Sequence, residues 1–403
     1  MGASKERKSV TGGEMKIAMF LMTAFTHDVR VTKEAISLIE AGHEVTFYAL
    51  KDKNTPSFEK RHQFSIYRIE LKTRYLLPKN QIFFFIKYVE YITRTVFSLL
   101  NKPFDAYHAH DLETLPIAYL LGKIKKKPVI YDSHELYTEM KKHHPAARKF
   151  WLLLERLLVR KTFANIQTTD SRAEVFARRY HVKIPIVIRN CQPYREVKKN
   201  NLFREQLHIP MDKKIILYQG MIDPGRGVDI LIETMNYLDN AVLILMGQGN
   251  YKNVIKKRLE NNSKKKDIFI LDAVPLEKLA DYTASADIGV SLVQNTGLNN
   301  YLMISNKFFE YLTAGLPVVF PNFPEWKKLV PKYSVGKIVD PTKPQKVAEA
   351  INSILSNEKL YQKMADNART MVRDFYNWEL EVKKLLKIYD AIVQNKFPIE
   401  TSQ

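Results

Sequence analysis

From Met15 onward, short apolar runs alternate with longer segments whose apolar residues recur at helical spacing. KIAMFLMTAF reads as a strand, and DVRVTKEAISLIEAGH as a helix that stops at Gly42. EVTFYAL and FSIYRIEL extend the sheet, AYHAH and PVIYD are short buried strands, and NIQTTD and IPIVIRN close a first domain near Asn190. Tyr75–Leu100 reads as a mostly helical, aromatic insertion, and Trp151–Arg160 as an amphipathic helix.

After the polar stretch 198–213 the alternation restarts. KIILYQG, AVLILMGQG, IFILDAV, IGVSLV and PVVF are strands. RGVDILIETMNYL, Asn253–Asn261, Leu276–Ala284 and Asn306–Ala314 are helical, and the tail adds helices over 343–356, 358–373 and 377–394. Repeated βα units with near-continuous apolar strands mean parallel sheets covered on both faces. The expected fold class is therefore α/β: two doubly wound, Rossmann-like domains facing a central cleft. Residues 1–14 read as a disordered leader, 15–195 and 196–375 as the two domains, and 376–403 as a C-terminal helix packing back on the first. Ligands of such domains sit beyond the carboxyl ends of the strands.

Composition narrows the function. A length of 403 residues fits two domains, and 45% hydrophobic with 26% charged residues excludes wholesale disorder. The single cysteine, Cys191, excludes a disulfide framework and any Cys-based zinc site. The net charge is +20, and residues 1–200 hold 36 basic against 20 acidic residues. Segment 51–100 combines ten basic and four acidic residues with ten aromatics. That mixture suits an anionic membrane surface better than a nucleic acid, because no nucleic-acid-binding module accompanies it and the basic residues are scattered. The most apolar stretch, Gln81–Leu100, is interrupted by Lys87, Glu90 and Arg94, so no membrane span is expected. Lys5, Arg7 and Lys8 precede the apolar run Ile17–Phe25 as in a secretory signal, but the run continues into a strand-helix-strand pattern instead of a cleavage site.

Three segments could carry chemistry. In SNKFFEYLTAGLPVV, Ser305 or Asn306 can cap a helix ended by Gly315 and Pro317. Lys307 sits in the first turn, where the helix dipole prefers an acid, which suggests a bound anion such as a diphosphate. Glu310 lies about one turn on, placed to meet ribose hydroxyls, although a simple Lys307–Glu310 pair is the competing reading. The second segment is Gly220 to Gly227, a βα turn in which glycines let the backbone approach a phosphate and Arg226 could grip it. Gly247 and Gly249 close the next strand in the same manner. The third is DAYHAHD, where His108 and His110 share one face of a strand. A metal there needs a third ligand, and no metal is expected; His110, Asp111 and Glu135 instead lie near strand ends that reach the cleft and are the candidate catalytic residues, with Asp111 or Glu135 the candidate general base.

These segments, in order, resemble the family 4 glycosyltransferases of the GT-B fold. SNKFFEYLTAGLPVVF is similar to the family's S-x-N-K-x-x-E-Y stretch. DVRVTKEAISLIEAGHEV, DAYHAHDLETL, VIYDSHELYTE, GRGVDILIETM, ILMGQG and VPLEKLADYTASADIGV match in sequence order. The resemblance implies retaining, metal-independent transfer of a sugar, of hexosyl or N-acetylhexosaminyl type, from a nucleotide diphosphate sugar to a glycan or lipid-linked hydroxyl acceptor. It further implies a cytoplasmic or peripheral inner-membrane setting and a role in cell-envelope polysaccharide or glycolipid synthesis. Arg226 and Lys307 are then the diphosphate ligands, Glu310 the ribose carboxylate, and Val274 the site where the base is read. His110 is implied beside the transferred sugar, and Asp28 and Arg30 on the acceptor side. Leu302 and Met221 stand where many members carry a glutamate and a second basic residue, so Asn300, Ser305 and Asn306 are expected to help hold the donor. Alternatives of the same fold are a non-catalytic subunit, a nucleotide-sugar epimerase and a phosphorylase.

Overall fold

The computed structural model describes residues 13–78, 81–139 and 145–394. Expectations falling on residues 1–12, on Lys79 and on the residues after 394 lie outside them. The chain forms two compact units. The first contains the described residues up to Arg189 together with those from Val382 onward, and the second runs from Asn190 to Glu381.

The first unit holds eight strands: β1 Lys16–Phe20, β2 Glu44–Leu50, β3 Phe58–Arg61, β4 Phe64–Ile69, β5 Ala106–His110, β6 Val129–Ser133, β7 Ala164–Gln167 and β8 Ile186–Val187. They lie in the order β3-β4-β2-β1-β5-β6-β7-β8. All pairs are parallel except β3 with β4. The second unit has β9 Lys214–Gln219, β10 Ala241–Met246, β11 Ile268–Leu271, β12 Ile288–Val290, β13 Val318–Pro321 and β14 Gly336–Val339. Their order is β11-β10-β9-β12-β13-β14, with every pair parallel.

These are the parallel sheets that the alternation predicts. Side chains of β9 and β10 point to opposite faces in turn. Ile215, Leu217, Val242 and Ile244 fill one core, and Ile216, Tyr218, Leu243 and Leu245 fill the other. The strand order reverses between β1 and β5 and again between β9 and β12, where ligand crevices form in such sheets.

Some elements escaped the sequence pattern, among them helix Asp170–Tyr180. Strand β3 is a polar, exposed edge. Within the polar stretch 198–213, Leu202–Leu207 is a short helix anchored by buried Phe203. Helix Pro324–Tyr333 contains Pro331, and β14 follows it.

Candidate functional site

In the second unit, Gly220 directly follows β9 and Arg226 lies in the loop leading to helix Val228–Thr234. From the neighbouring β12 the chain runs to helix Asn306–Thr313, with Ser305 at its N-cap. Two loops therefore meet at the switch point of this sheet, and Lys307 stands where they meet. Its Nζ lies 4.2 Å from the centre of the Tyr218 ring. Gly220 has φ +117°, and a Cβ there would stand 3.2 Å from that ammonium, so the glycine leaves Lys307 its place. A Cβ on Gly247 would lie 1.8 Å from the Gly220 carbonyl, so that glycine permits the two strand ends to approach. Gly249 follows in the same turn.

Among the described residues, neither Lys307 nor the Arg226 side chain has a hydrogen-bonded or ion-paired partner. Lys307 does not pair with Glu310. Burial, and then the Arg226 guanidinium, push the Lys307 ammonium down to about 7. Glu310 instead accepts a 2.6 Å hydrogen bond from Gln219 Nε2, and Gln219 Oε1 accepts one from Thr283. Tyr311 fixes the same strand end by accepting from Gln219 N and donating to Leu217 O. Beside Glu310 opens a cavity of about 240 Å³, lined by Pro193, Leu276, Leu279, Thr283 and Thr313 among others. A carboxylate at the rim of an apolar slot matches a ribose carrying a flat base.

Of the other expected donor residues, Ser305 Oγ is buried without a hydrogen-bond partner. Asn306 accepts from Asn190 Nδ2, and Asn300 donates to Thr296 Oγ1. Val274 packs against the core just ahead of the cavity residue Leu276.

In the first unit the expected residues separate. Asp28 caps helix Val29–Glu40 by accepting from Val31 N at 3.0 Å. Arg30 is buried, pairing with both oxygens of Asp132, with Glu34, and with the Ile188 carbonyl. His110 ends β5 and is buried, with Nδ1 at 3.3 Å from His134 Nε2. Asp111 turns out of the strand at φ +62° and accepts from His134 N. Glu135 is half-buried.

His134 and Asp132 were not among the expected site residues, yet they organise this end of the sheet. Burial works against a charged His134, but Asp111 and Asp132 hold it up at about 10, so it is an imidazolium at neutral pH. Burial also opposes a charged Asp132; Arg30 and His134 nonetheless keep it well below the usual carboxylate range. The signal was present in the sequence, since YDSHE closes β6 beside β5, but no spacing rule joins it to Arg30.

The profile described as "Glycosyltransferase Family 4" matches residues 29–191, and "Glycosyl transferases group 1" matches 199–371. An uncharacterised glycosyltransferase of Methanocaldococcus jannaschii is 21% identical over 89% of this chain and 93% of its own length. The phosphatidyl-myo-inositol mannosyltransferase of Mycobacterium leprae is 22% identical over 47% of this chain and 50% of its own. Among solved structures, sucrose-phosphate synthase of Thermosynechococcus elongatus superposes with a TM-score of 0.80 at 18% identity, covering 94% of this chain and 100% of that one. HepE of Anabaena, solved in complex with UDP-glucose, gives 0.71 at 14% identity over the same shares. Both support the GT-B fold.

Proposed function

Because this chain belongs to the family 4 glycosyltransferases, we propose that it moves a sugar from a nucleotide diphosphate sugar to a hydroxyl acceptor, with retention and without a metal at the donor. The observation that carries this reading is the pair of unpartnered cations, Lys307 and Arg226, set at the switch point of the second sheet with Glu310 beside an apolar cavity. The cations would bind the diphosphate and stabilise the charge that grows on it as the sugar leaves. Glu310, oriented by Gln219, would take the ribose hydroxyls. The acceptor oxygen would attack from the face the diphosphate leaves, with a phosphate oxygen taking the proton. Asp111 already accepts from His134, which leaves it less free to act as a base.

The test is a panel of UDP-, GDP- and dTDP-hexoses and N-acetylhexosamines, with excess chelator and NMR assignment of the product anomer. We expect transfer with retained configuration from one donor class. The UDP sugars come first, because HepE was solved with UDP-glucose. No transfer from any donor, combined with no nucleotide-induced rise in Tm, would leave a non-catalytic subunit.

We propose further that the first unit docks on an anionic membrane and meets a lipid-linked or cell-envelope glycan acceptor there. Helices Gln81–Leu99 and Pro145–Leu158 meet through Phe85 and Phe150, with ring centres 5.9 Å apart. Phe84, Phe97, Leu153 and Leu157 are exposed on them, while Tyr88, Tyr91 and Trp151 face the core. Lys87, Arg94, Lys149 and Arg156 lie on the same helices. Apolar side chains flanked by basic ones suit the headgroup layer. No helix among the described residues is long and apolar enough to cross a membrane. Sedimentation with vesicles containing anionic lipid should pull the protein down and neutral vesicles should not; binding to neither would remove this part of the reading.

A further inference from the structure

Sharing Asp132 with the Arg30–Asp132–His134 network is a cluster of buried ligand atoms that the transfer, as proposed above, does not use. Ligand atoms of Glu34, His108, His110 and Asp132 all fall within 4.8 Å of one another, and all four residues are buried. His108 Nε2, His110 Nε2 and Glu34 Oε2 are enclosed without any hydrogen-bond partner. Leaving three polar atoms unsatisfied together in the interior is costly.

We propose that this cluster is a buried site for a divalent transition-metal ion of the zinc type. The donor set is the first argument. Arg30 already engages both oxygens of Asp132, at 2.9–3.2 Å. Arg30 Nε also pairs with Glu34 Oε1 at 3.1 Å, so Glu34 Oε2 and two imidazoles remain, a His₂-carboxylate set that zinc accepts. The orientation of the rings is the second. His108 Nδ1 lies 2.8 Å from the Tyr389 hydroxyl. With Nδ1–H donating there, Nε2 keeps its lone pair, and such a partner commonly orients a ligating histidine. For His110, Nδ1 lies 3.3 Å from His134 Nε2, which leaves its own Nε2, enclosed and unpartnered, as the atom free to ligate. The geometry is the third. Ligand atoms at about 2.0–2.1 Å around a tetrahedral ion stand roughly 3.3 Å apart, so each side chain has to close in by less than about 1 Å. His108 and His110 come from alternate positions of β5, and Glu34 from helix Val29–Glu40. The diphosphate ligands proposed above belong to the other unit, and no step of the transfer as proposed uses this ion.

The competing occupant is a proton. Burial and the facing Asp132 carboxylate push Glu34 up to about 8, so the two acids could share one instead. The experiment uses the full chain without an affinity tag. Metal analysis after expression in zinc-supplemented medium should find about one equivalent per chain. Cobalt titration of chelator-stripped protein should give the visible absorption of a four-coordinate site, and zinc should raise Tm. H108Q and H110Q should each weaken zinc binding at least tenfold, and E34Q should weaken it less. No bound metal with no cobalt spectrum would overturn the proposal in favour of the shared proton. Unchanged binding in both histidine variants would overturn it in favour of an adventitious surface site. The wild-type spectrum and stoichiometry decide the matter even if a variant fails to fold.

Discussion

The two units gather ionisable groups at their sheets' switch points, and they do so in opposite senses. In the first unit the cations are answered: Arg30 has Asp132, Glu34 and a carbonyl, and His134 has Asp111 and Asp132. What remains unanswered there are lone pairs, on His108, His110 and Glu34. In the second unit the unanswered groups are the cations themselves, Lys307 and Arg226. A folded chain that leaves positive charge without a partner is complementary to an anion, and one that leaves buried lone pairs is complementary to a proton or a metal. The same architecture thus serves two kinds of occupant, and the sign of the mismatch tells them apart.

The sharpest way to break this contrast is to remove a charge from each side. Asp132→Ala leaves Arg30 and His134 without their shared carboxylate, and losing one partner of a buried pair costs about 3–5 kcal/mol. Denaturant unfolding should show that loss. Arg226→Ala removes no partnered group and should shift stability by less than about 0.5 kcal/mol. Equal losses in the two variants would erase the distinction between a structural and a ligand-binding charge.

Next in size is activity. Arg226→Ala and Lys307→Ala should each lower kcat/KM for the nucleotide sugar by roughly 10²- to 10³-fold at unchanged Tm, and Glu310→Ala should lower it as much with some loss of Tm, since Gln219 Nε2 loses its acceptor. Unaltered transfer in any of them would remove that residue from the donor site.

Titration follows. Lys307 ionises at about 7 in the free protein, and a bound diphosphate must raise that value. Affinity for a nucleotide sugar should therefore fall above pH 7, approaching tenfold per pH unit, and Lys307→Arg should flatten the profile. The first unit has its own pH dependence. Glu34 is raised from 4.5 to about 8, and His134 from 6.5 to about 10. Each stabilising contribution is complete below the lower value and disappears as pH rises through the upper one. Unfolding free energy should accordingly decline from pH 4.5 to 8 on account of Glu34, and from 6.5 to 10 on account of His134.

The smallest expected effect is at Tyr218. Tyr218→Leu removes the ring under Lys307, a contact worth about 0.5–2 kcal/mol, and should raise the Kd for the nucleotide sugar severalfold.

How much of this could be read beforehand depends on how far apart the partners are. Lys307 and Glu310 share one helix and Arg226 one loop, so local spacing reveals them. Gln219, which orients Glu310, sits on strand β9, 91 positions away. Nothing periodic links the two. The histidines of β5 were visible as a pair, while the third acid, Glu34, belongs to a helix face that reads as ordinary amphipathic sequence. Arg30 was expected on the acceptor side because it follows a strand, but only the fold shows its guanidinium turned inward to Asp132. Among whole elements, the apolar strands were legible because burial on both faces makes them continuous. Strand β3 was not, because FEKR on an exposed edge carries no apolar face, and Pro331 masked the helix around it.

The hydrogen bond between His108 and Tyr389 joins residues 281 positions apart. A ribosome adding roughly 5–20 residues per second needs about 15 to 55 seconds to travel from one to the other. Throughout that interval the nascent first unit holds its histidines with that partner still unmade, while the whole of the second unit is being translated. The half of the protein that is synthesised first is therefore the half that is finished last.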